Sequence, residues 1–277
     1  MLIFRLGPRT YRVEKQWARL PQSISLDGIS AVSVNTKGQI MVLRRSDPFM
    51  LLFSKEGELL SHWSNESIID GHYFRVTKDG RVLVVDRDHH RIVAFNTEGE
   101  ILQVIGDYQK PGKLVALFNH PTDVAVNANG EFFVSDGYGN SCVHHLSPTG
   151  ELIKTWGKQG TGNGEFSIPH SILVDEKDQV LVADRENNRI QIFNQSGEYL
   201  NEIKDLYHPM NMFKDNDGYI YVTDQTPRLN MFDSEGELIG RCRTFGFFGH
   251  GVAVDEANDI YIAEMIPDSI TKLVRLS

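Results

Sequence analysis

The hydrophobic positions of the chain fall in short alternating runs of Val, Ile, Tyr and Phe, each set between a polar turn and a charged residue. The runs TKDGRVLVVD (77–86), NANGEFFVSD (127–136), EKDQVLVAD (176–184), DNDGYIYVTD (215–224) and EANDIYIAE (256–264) share this pattern, and NTKGQIMVLR (35–44) is a further copy that ends in Arg44. Alternation with a period of two is the mark of a half-buried strand. An apolar strand such as ILVD or VAVN precedes each turn, and Asp-Gly or Asn-Gly at the turn suits a tight hairpin. A third strand follows the charged end, as in RIVAF or RIQIF. A Gly-Glu turn (Gly57-Glu58, Gly99-Glu100, Gly150-Glu151, Gly197-Glu198, Gly236-Glu237) then leads to an outer fourth strand such as LIKTW. Each unit therefore reads as a four-stranded antiparallel meander.

Six such copies, 40 to 50 residues apart, match the period and count of a six-bladed β-propeller, an all-β fold. The sixth copy runs out of chain at TKLVRLS before any fourth strand, and the N-terminal YRVEKQW has no earlier blade to join. Pairing the two would close the ring and protect the sheet edge. No linker or low-complexity run interrupts the pattern, so residues 1–277 are expected to form one domain. Residues 107–118 and 157–167 read as longer loops, which on a rigid scaffold often serve a site.

The repeat also aligns chemistry. Fourteen residues before Asp86, Asp184 and Glu264 stand His72, His170 and His250; blades one, three and five have Ser30, Thr122 and Met210 at that place. Equivalent positions in a propeller lie at one height around its axis, so histidines in alternate blades would face one spot about 120° apart. Three neutral imidazoles with a fourth position open are the ligand set of a catalytic zinc site. The same three residues would also suit the polar lining of a wet channel. His89-His90 and His144-His145 fall on or near third strands and His62, His120 and His208 in loops, so none is assigned a role. Tyr138, two residues past the acidic end of the second strand in blade three, lies in a loop between metal-bearing blades, where a nearby cation would favour its action as a base. Arg45, Arg87 and Arg185 each follow a blade's end residue directly. Arg45 and Arg185 could clamp a carboxylate, although Arg185 could equally bridge neighbouring blades.

Composition narrows the classes. The 277 residues are 40% hydrophobic, with no stretch near the roughly 18 apolar residues of a membrane span. The N-terminal apolar run is broken at Arg5, leaving no signal-peptide core. A net charge of −9 argues against nucleic-acid backbone binding. Two cysteines, Cys142 and Cys242, make no disulfide framework and read as ordinary strand residues. The expectation is a cytoplasmic protein, without membrane or nucleic-acid partners, acting on a small molecule; the sequence leaves its oligomeric state open.

The stretch 118–193 carries PTDVAV, SDGYGNS, Pro169-His170-Ser171 and ADRENNRIQ, and in these it resembles the peptidyl-α-hydroxyglycine α-amidating lyase family of NHL-repeat propellers. The resemblance continues in register, more weakly, over the rest of the chain. It implies a zinc-dependent lyase that cleaves a carboxylate-bearing hemiaminal to glyoxylate and a primary amide. It places the zinc ligands on His72, His170 and His250, the catalytic tyrosine on Tyr138, and the substrate-site arginines on Arg45 and Arg185. Other divalent metals would suit the same ligands. The family's disulfide cysteines are mostly absent, Gly139 and Leu181 standing at two of their places. Gly251 stands where the family has an aspartate serving a structural calcium, which removes the basis for expecting calcium here. Two other readings remain open at this level: a metal-dependent lactonase or other hydrolase, and a non-catalytic NHL interaction module.

Overall fold

The computed structural model describes residues 2–107, 110–112 and 117–277. The loop expected over 107–118 therefore lies partly outside the described residues. The fold is an all-β six-bladed propeller, whose described residues form six antiparallel sheets and one 3-10 turn at Arg185–Asn187. Among the described residues no helix is long and apolar enough to cross a membrane.

By packing, the chain divides into two compact units, residues 68–210 and residues 1–67 with 211–277. The first unit holds blade two (Gly71–Val76, Val82–Asp86, Arg91–Phe95, Ile101–Gly106), blade three (Asp123–Val126, Phe132–Asp136, Cys142–Leu146, Leu152–Trp156) and blade four (Pro169–Val174, Val180–Asp184, Arg189–Phe193, Tyr199–Ile203). The second unit holds blade one (Ile29–Val34, Ile40–Arg44, Met50–Phe53, Leu59–Trp63), most of blade five (Pro209–Lys214, Ile220–Asp224, Arg228–Phe232, Leu238–Arg243) and blade six. Blade six combines Phe248–Val254, Ile260–Met265 and Ser269–Arg275 with the N-terminal strand Arg9–Glu14. Tyr11 pairs with Arg275 and Glu14 with Lys272, so the N-terminal strand does complete the last blade.

Two local expectations are corrected. Ile3–Leu6 adds a fifth strand outside Arg9–Glu14, with Ile3 opposite Arg12. Gly7, at a φ of 57° beside Pro8, makes the tight reversal between them. His62 lies within the outer strand Leu59–Trp63, not in a loop, because the blade's fourth strand continues to the buried Trp63.

Burial explains the pattern of the runs. The second strand is buried at every residue in blades one to five, not half-buried as alternation implied, because both faces of the blade are covered. Outer strands are largely exposed, as in Leu152–Trp156, where Trp156 alone is buried. Neighbouring blades share their cores: Val85, Ile92, Phe118, Phe132 and Val134 form one cluster, and Ile29, Phe53, Trp17, Tyr261 and Ile270 another. The Gly-Glu turns are tight for steric reasons. Gly57 sits at a φ of 90°, and a Cβ there would lie 2.0 Å from the Trp17 carbonyl oxygen.

The acidic residue that ends each second strand is a buried anchor. Asp184 Oδ1 accepts the Ser167 N–H at 2.7 Å, while its Oδ2 accepts from Arg189 Nε at 3.0 Å and Asn187 Nδ2 at 2.8 Å. Burial pushes the Asp184 carboxyl above the usual range, and these donors pull it back. Arg44 inverts the scheme in blade one, donating to the Ser25 and Pro48 carbonyls at 2.6 and 2.8 Å. Removing one partner of a buried pair strands the other charge. Asp184→Ala should therefore lower unfolding free energy by about 3–5 kcal/mol in urea denaturation, a loss an exposed ion pair would not show.

Candidate metal centre and active site

His72, His170 and His250 occupy the same place in their blades, at the start of the innermost strand. In all three the ladder loses register there: between Gly71 and Phe74, between Pro169 and Ser171, and between Gly249 and Gly251. Such irregularities re-aim a side chain out of the regular in-and-out alternation. All three imidazoles are buried, at 0%, 0% and 3% exposure.

Each ring is then held by one nitrogen. His72 Nδ1 lies 2.7 Å from the Thr122 carbonyl oxygen, His170 Nδ1 2.8 Å from that of Met210, and His250 Nδ1 2.7 Å from that of Ser30. A carbonyl can only accept, so each Nδ1 carries the proton, and the neutral ring presents its lone pair at Nε2. Ser30, Thr122 and Met210 are the residues of the same column in the blades that lack histidine. A backbone carbonyl on the far ring nitrogen is the usual outer support of a metal-binding imidazole.

Within the unit 68–210, His72 and His170 offer nitrogens within 4.8 Å of each other. The Nε2 atoms of both lie 3.0 Å from the Tyr138 hydroxyl. One phenolic proton can be donated to only one of them at a time, whereas a cation would engage both lone pairs and the phenol oxygen together. The donor set therefore fits a divalent metal of the zinc type. In the other unit, His250 has the same tautomer and the same kind of carbonyl support.

Tyr138 reaches this place because of the glycines beside it. A Cβ at Gly137 would lie 2.0 Å from the Pro169 carbonyl oxygen, and one at Gly139 would lie 2.2 Å from Asn119 Cγ. The turn thus presses against the residue preceding His170. Arg185 Nη1 lies 3.4 Å from the Tyr138 hydroxyl, and its guanidinium is 5.5 Å from the ring centroid. Arg185 Nε bonds Glu186 at 2.8 Å, which fixes the fork. Arg185 thus does reach the neighbouring blade, and what it touches there is Tyr138. Arg87, from the same place in blade two, also stands 5.5 Å from the Tyr138 ring, but is ion-paired with Asp70 and Asp88. Arg45 holds the equivalent position in blade one, where its N–H donates to the Gly28 carbonyl at 2.8 Å.

Two supporting residues have no counterpart in the sequence reading. Asp123 is fully buried and accepts from Ser171 Oγ at 2.8 Å and the Ile172 N–H at 3.1 Å, pinning the strand just after His170. Asn211 Oδ1 accepts the Val252 N–H at 3.0 Å, two residues after His250. Both follow the column residue of a blade without histidine, the one positional signal that could have found them.

The NHL repeat family matches residues 118–146 and 166–193. Over 250 residues the chain is 32% identical to the rat peptidylglycine alpha-amidating monooxygenase, covering 82% of this chain and 26% of that protein. It is 27% identical over 330 residues to the Drosophila melanogaster peptidyl-alpha-hydroxyglycine alpha-amidating lyase 1, covering 97% of this chain and 60% of that one. This is an NHL-repeat chain with amidating lyases among its homologues. It spans about a quarter of the rat relative and three fifths of the fly lyase. In structure it also matches a gluconolactonase from Xanthomonas campestris, with a TM-score of 0.73 at 14% identity, covering 96% of this chain and 90% of that one. That likeness bears on the propeller fold alone.

Proposed function

We propose that the chain is a zinc-dependent carbon–nitrogen lyase acting on an N-acyl α-hydroxyglycine or a similar small hemiaminal carboxylate. The observation that carries this reading is the Tyr138 hydroxyl, 3.0 Å from the Nε2 atoms of both His72 and His170 and 3.4 Å from Arg185. The amidating-lyase homologues support the same reaction class. His72 and His170 would hold the ion together with His250, which the blade register makes their equivalent. A zinc ion there would supply positive charge that offsets charge developing on the substrate hydroxyl oxygen.

The chain's own residues carry the rest. Arg185, its Nε already bound to Glu186, presents its remaining N–H donors to the substrate carboxylate, with Arg45 proposed as the second clamp. Arg87 is held by two carboxylates, so it is less free to bind an anion and more suited to shaping the wall beside Tyr138. Tyr138 in its ionised form accepts the proton of the substrate hydroxyl. The electron pair of that O–H bond forms the aldehyde C=O of glyoxylate as the C–N bond breaks. The proton returns from Tyr138 to the departing nitrogen, giving the primary amide. Two free cysteines, Cys142 and Cys242, support placing this activity in a reducing compartment.

The test is glyoxylate release from N-acyl α-hydroxyglycines, run beside hydrolysis of sugar lactones. Release that stops on chelation and returns with added zinc is the expected result. Lactone opening without glyoxylate release would overturn the lyase reading and leave a hydrolase. Hydrogen bonds to charged groups contribute about 1.5–3 kcal/mol. Arg185→Ala should therefore lower kcat/KM for the carboxylate substrate about ten- to a hundredfold. It should have much less effect on an esterified substrate lacking that charge.

A further inference from the structure

The buried acid that ends each second strand meets a cation in three blades. Arg91 sits on Asp86 at 3.0 Å, Arg189 on Asp184 at 3.0 Å and Arg228 on Asp224 at 2.6 Å. In blades two and four the arginine is the direct ladder partner of the acid. Blade three departs from these, as does blade six, where the ladder partner of Glu264 is Ser269. In blade three the ladder partner of Asp136 is Cys142, and the place of Gln191 in blade four is taken by His144. Asp136 is fully buried and retains the other features of the anchor: it accepts the Asn119 N–H at 2.9 Å and Asn140 Nδ2 at 2.7 Å. Among the described residues it has no arginine partner of the kind that Asp86, Asp184 and Asp224 have, and a thiol and an imidazole stand in that place.

We infer that Asp136, Cys142 and His144 form a second metal site, which takes a divalent ion of the zinc class with one thiolate, one imidazole and one carboxylate ligand. Their ligand atoms all lie within 4.8 Å of one another. His144 Nε2 is 3.1 Å from Asp136 Oδ2 and 3.5 Å from Cys142 Sγ. Metal bonds of about 2.0 Å to nitrogen and oxygen and about 2.3 Å to sulfur give tetrahedral edges of about 3.3 and 3.5 Å, so the spacing about His144 needs little adjustment. The imidazole is already oriented: His144 Nδ1 lies 2.8 Å from Thr155 Oγ1, the outer partner that a ligand histidine needs. Cys142, His144 and Thr155 line a cavity of about 890 Å³ that also borders the exposed Asp107 and Leu152, which gives an ion a route in and leaves a fourth position for water or another oxygen.

Charge and proton balance agree with this assignment. Binding would break the Cys142 S–H bond, form a sulfur–metal bond and release that proton to solvent. Thiolate and carboxylate then supply two negative charges against the two positive charges of the ion, and the ion stands where the guanidinium stands in the neighbouring blades. Its role would be to brace blade three, not to meet substrate.

Cobalt substitution separates this site from the one on the histidine column, because a sulfur-to-cobalt charge-transfer band in the near ultraviolet requires a thiolate ligand. The whole chain, stripped by chelation and titrated with cobalt, should show that band, and Cys142→Ser should lose both the band and one metal equivalent. His170→Ala should keep the band. Cys142→Arg, which gives blade three the partner its neighbours use, provides a second variant whose folding does not depend on an ion; it should also show no band. A wild-type chain without the band, or a band that persists in either Cys142 variant, would overturn the site. Neither result would touch the lyase proposal, which stands or falls on glyoxylate release.

Discussion

Tyr138→Phe should lower kcat for glyoxylate release by about 10²–10⁴, the range that a positioned general base or acid contributes. KM should move little, because the carboxylate is assigned to the arginines. The variant should fold as the parent does, because Tyr138 is 36% exposed and the change removes one oxygen. It should also retain metal, since His72 and His170 keep their Nδ1 bonds to Thr122 and Met210. The combination discriminates between roles. If the hydroxyl merely filled a wet channel, its loss would leave turnover unchanged at every pH. If it were a metal ligand and nothing more, metal content and kcat would fall together. A fall in kcat with metal retained assigns it the proton.

The same residue shows how far a sequence can be read. Tyr138 stands out because SDGYGNS departs from the other blade ends, and the glycines that mark it are those whose missing Cβ atoms let the turn press against Pro169 and Asn119. The six blades were legible because a buried second strand must be mostly apolar up to its charged end and an Asp-Gly or Asn-Gly turn must follow a fixed geometry. The histidine column was legible because a repeat turns sequence distance into position in the blade. What stayed hidden depends on the backbone. The carbonyls of Ser30, Thr122 and Met210 support the imidazoles whatever their side chains are, so no residue type announces them. The register shifts at the histidines are likewise properties of the ladder. Cys142 and His144 read as ordinary strand residues because their unusual feature is the arginine they replace. That became visible only with the ladder partners in register. The strand Ile3–Leu6 was missed because its Arg5 interrupts the alternation, on an outer edge where burial imposes little pattern.

The strongest consequence of the column concerns His250. By its strand position, its register shift and its Nδ1 bond it matches His72 and His170, although it belongs to the other packing unit. His250→Ala should therefore weaken zinc binding at the column as much as His72→Ala or His170→Ala does. Changing an outer partner of a ligand costs about 10–100-fold in metal affinity. Loss of a ligand itself should exceed that, so each variant is expected to fall more than about a hundredfold in a competition titration with a chelating dye. Thermal stability gives an independent reading. Metal that binds only the folded chain adds about 4.1 kcal/mol at a thousandfold excess over its Kd, and each variant should lose this zinc-dependent part of its stability alone. Equal losses in the three variants would mean that blades two, four and six share one ion. A His250→Ala chain that still binds column zinc with full affinity would restrict the ligands to His72, His170 and Tyr138, and would require the open position and the placement of substrate to be redrawn on the blade-three side.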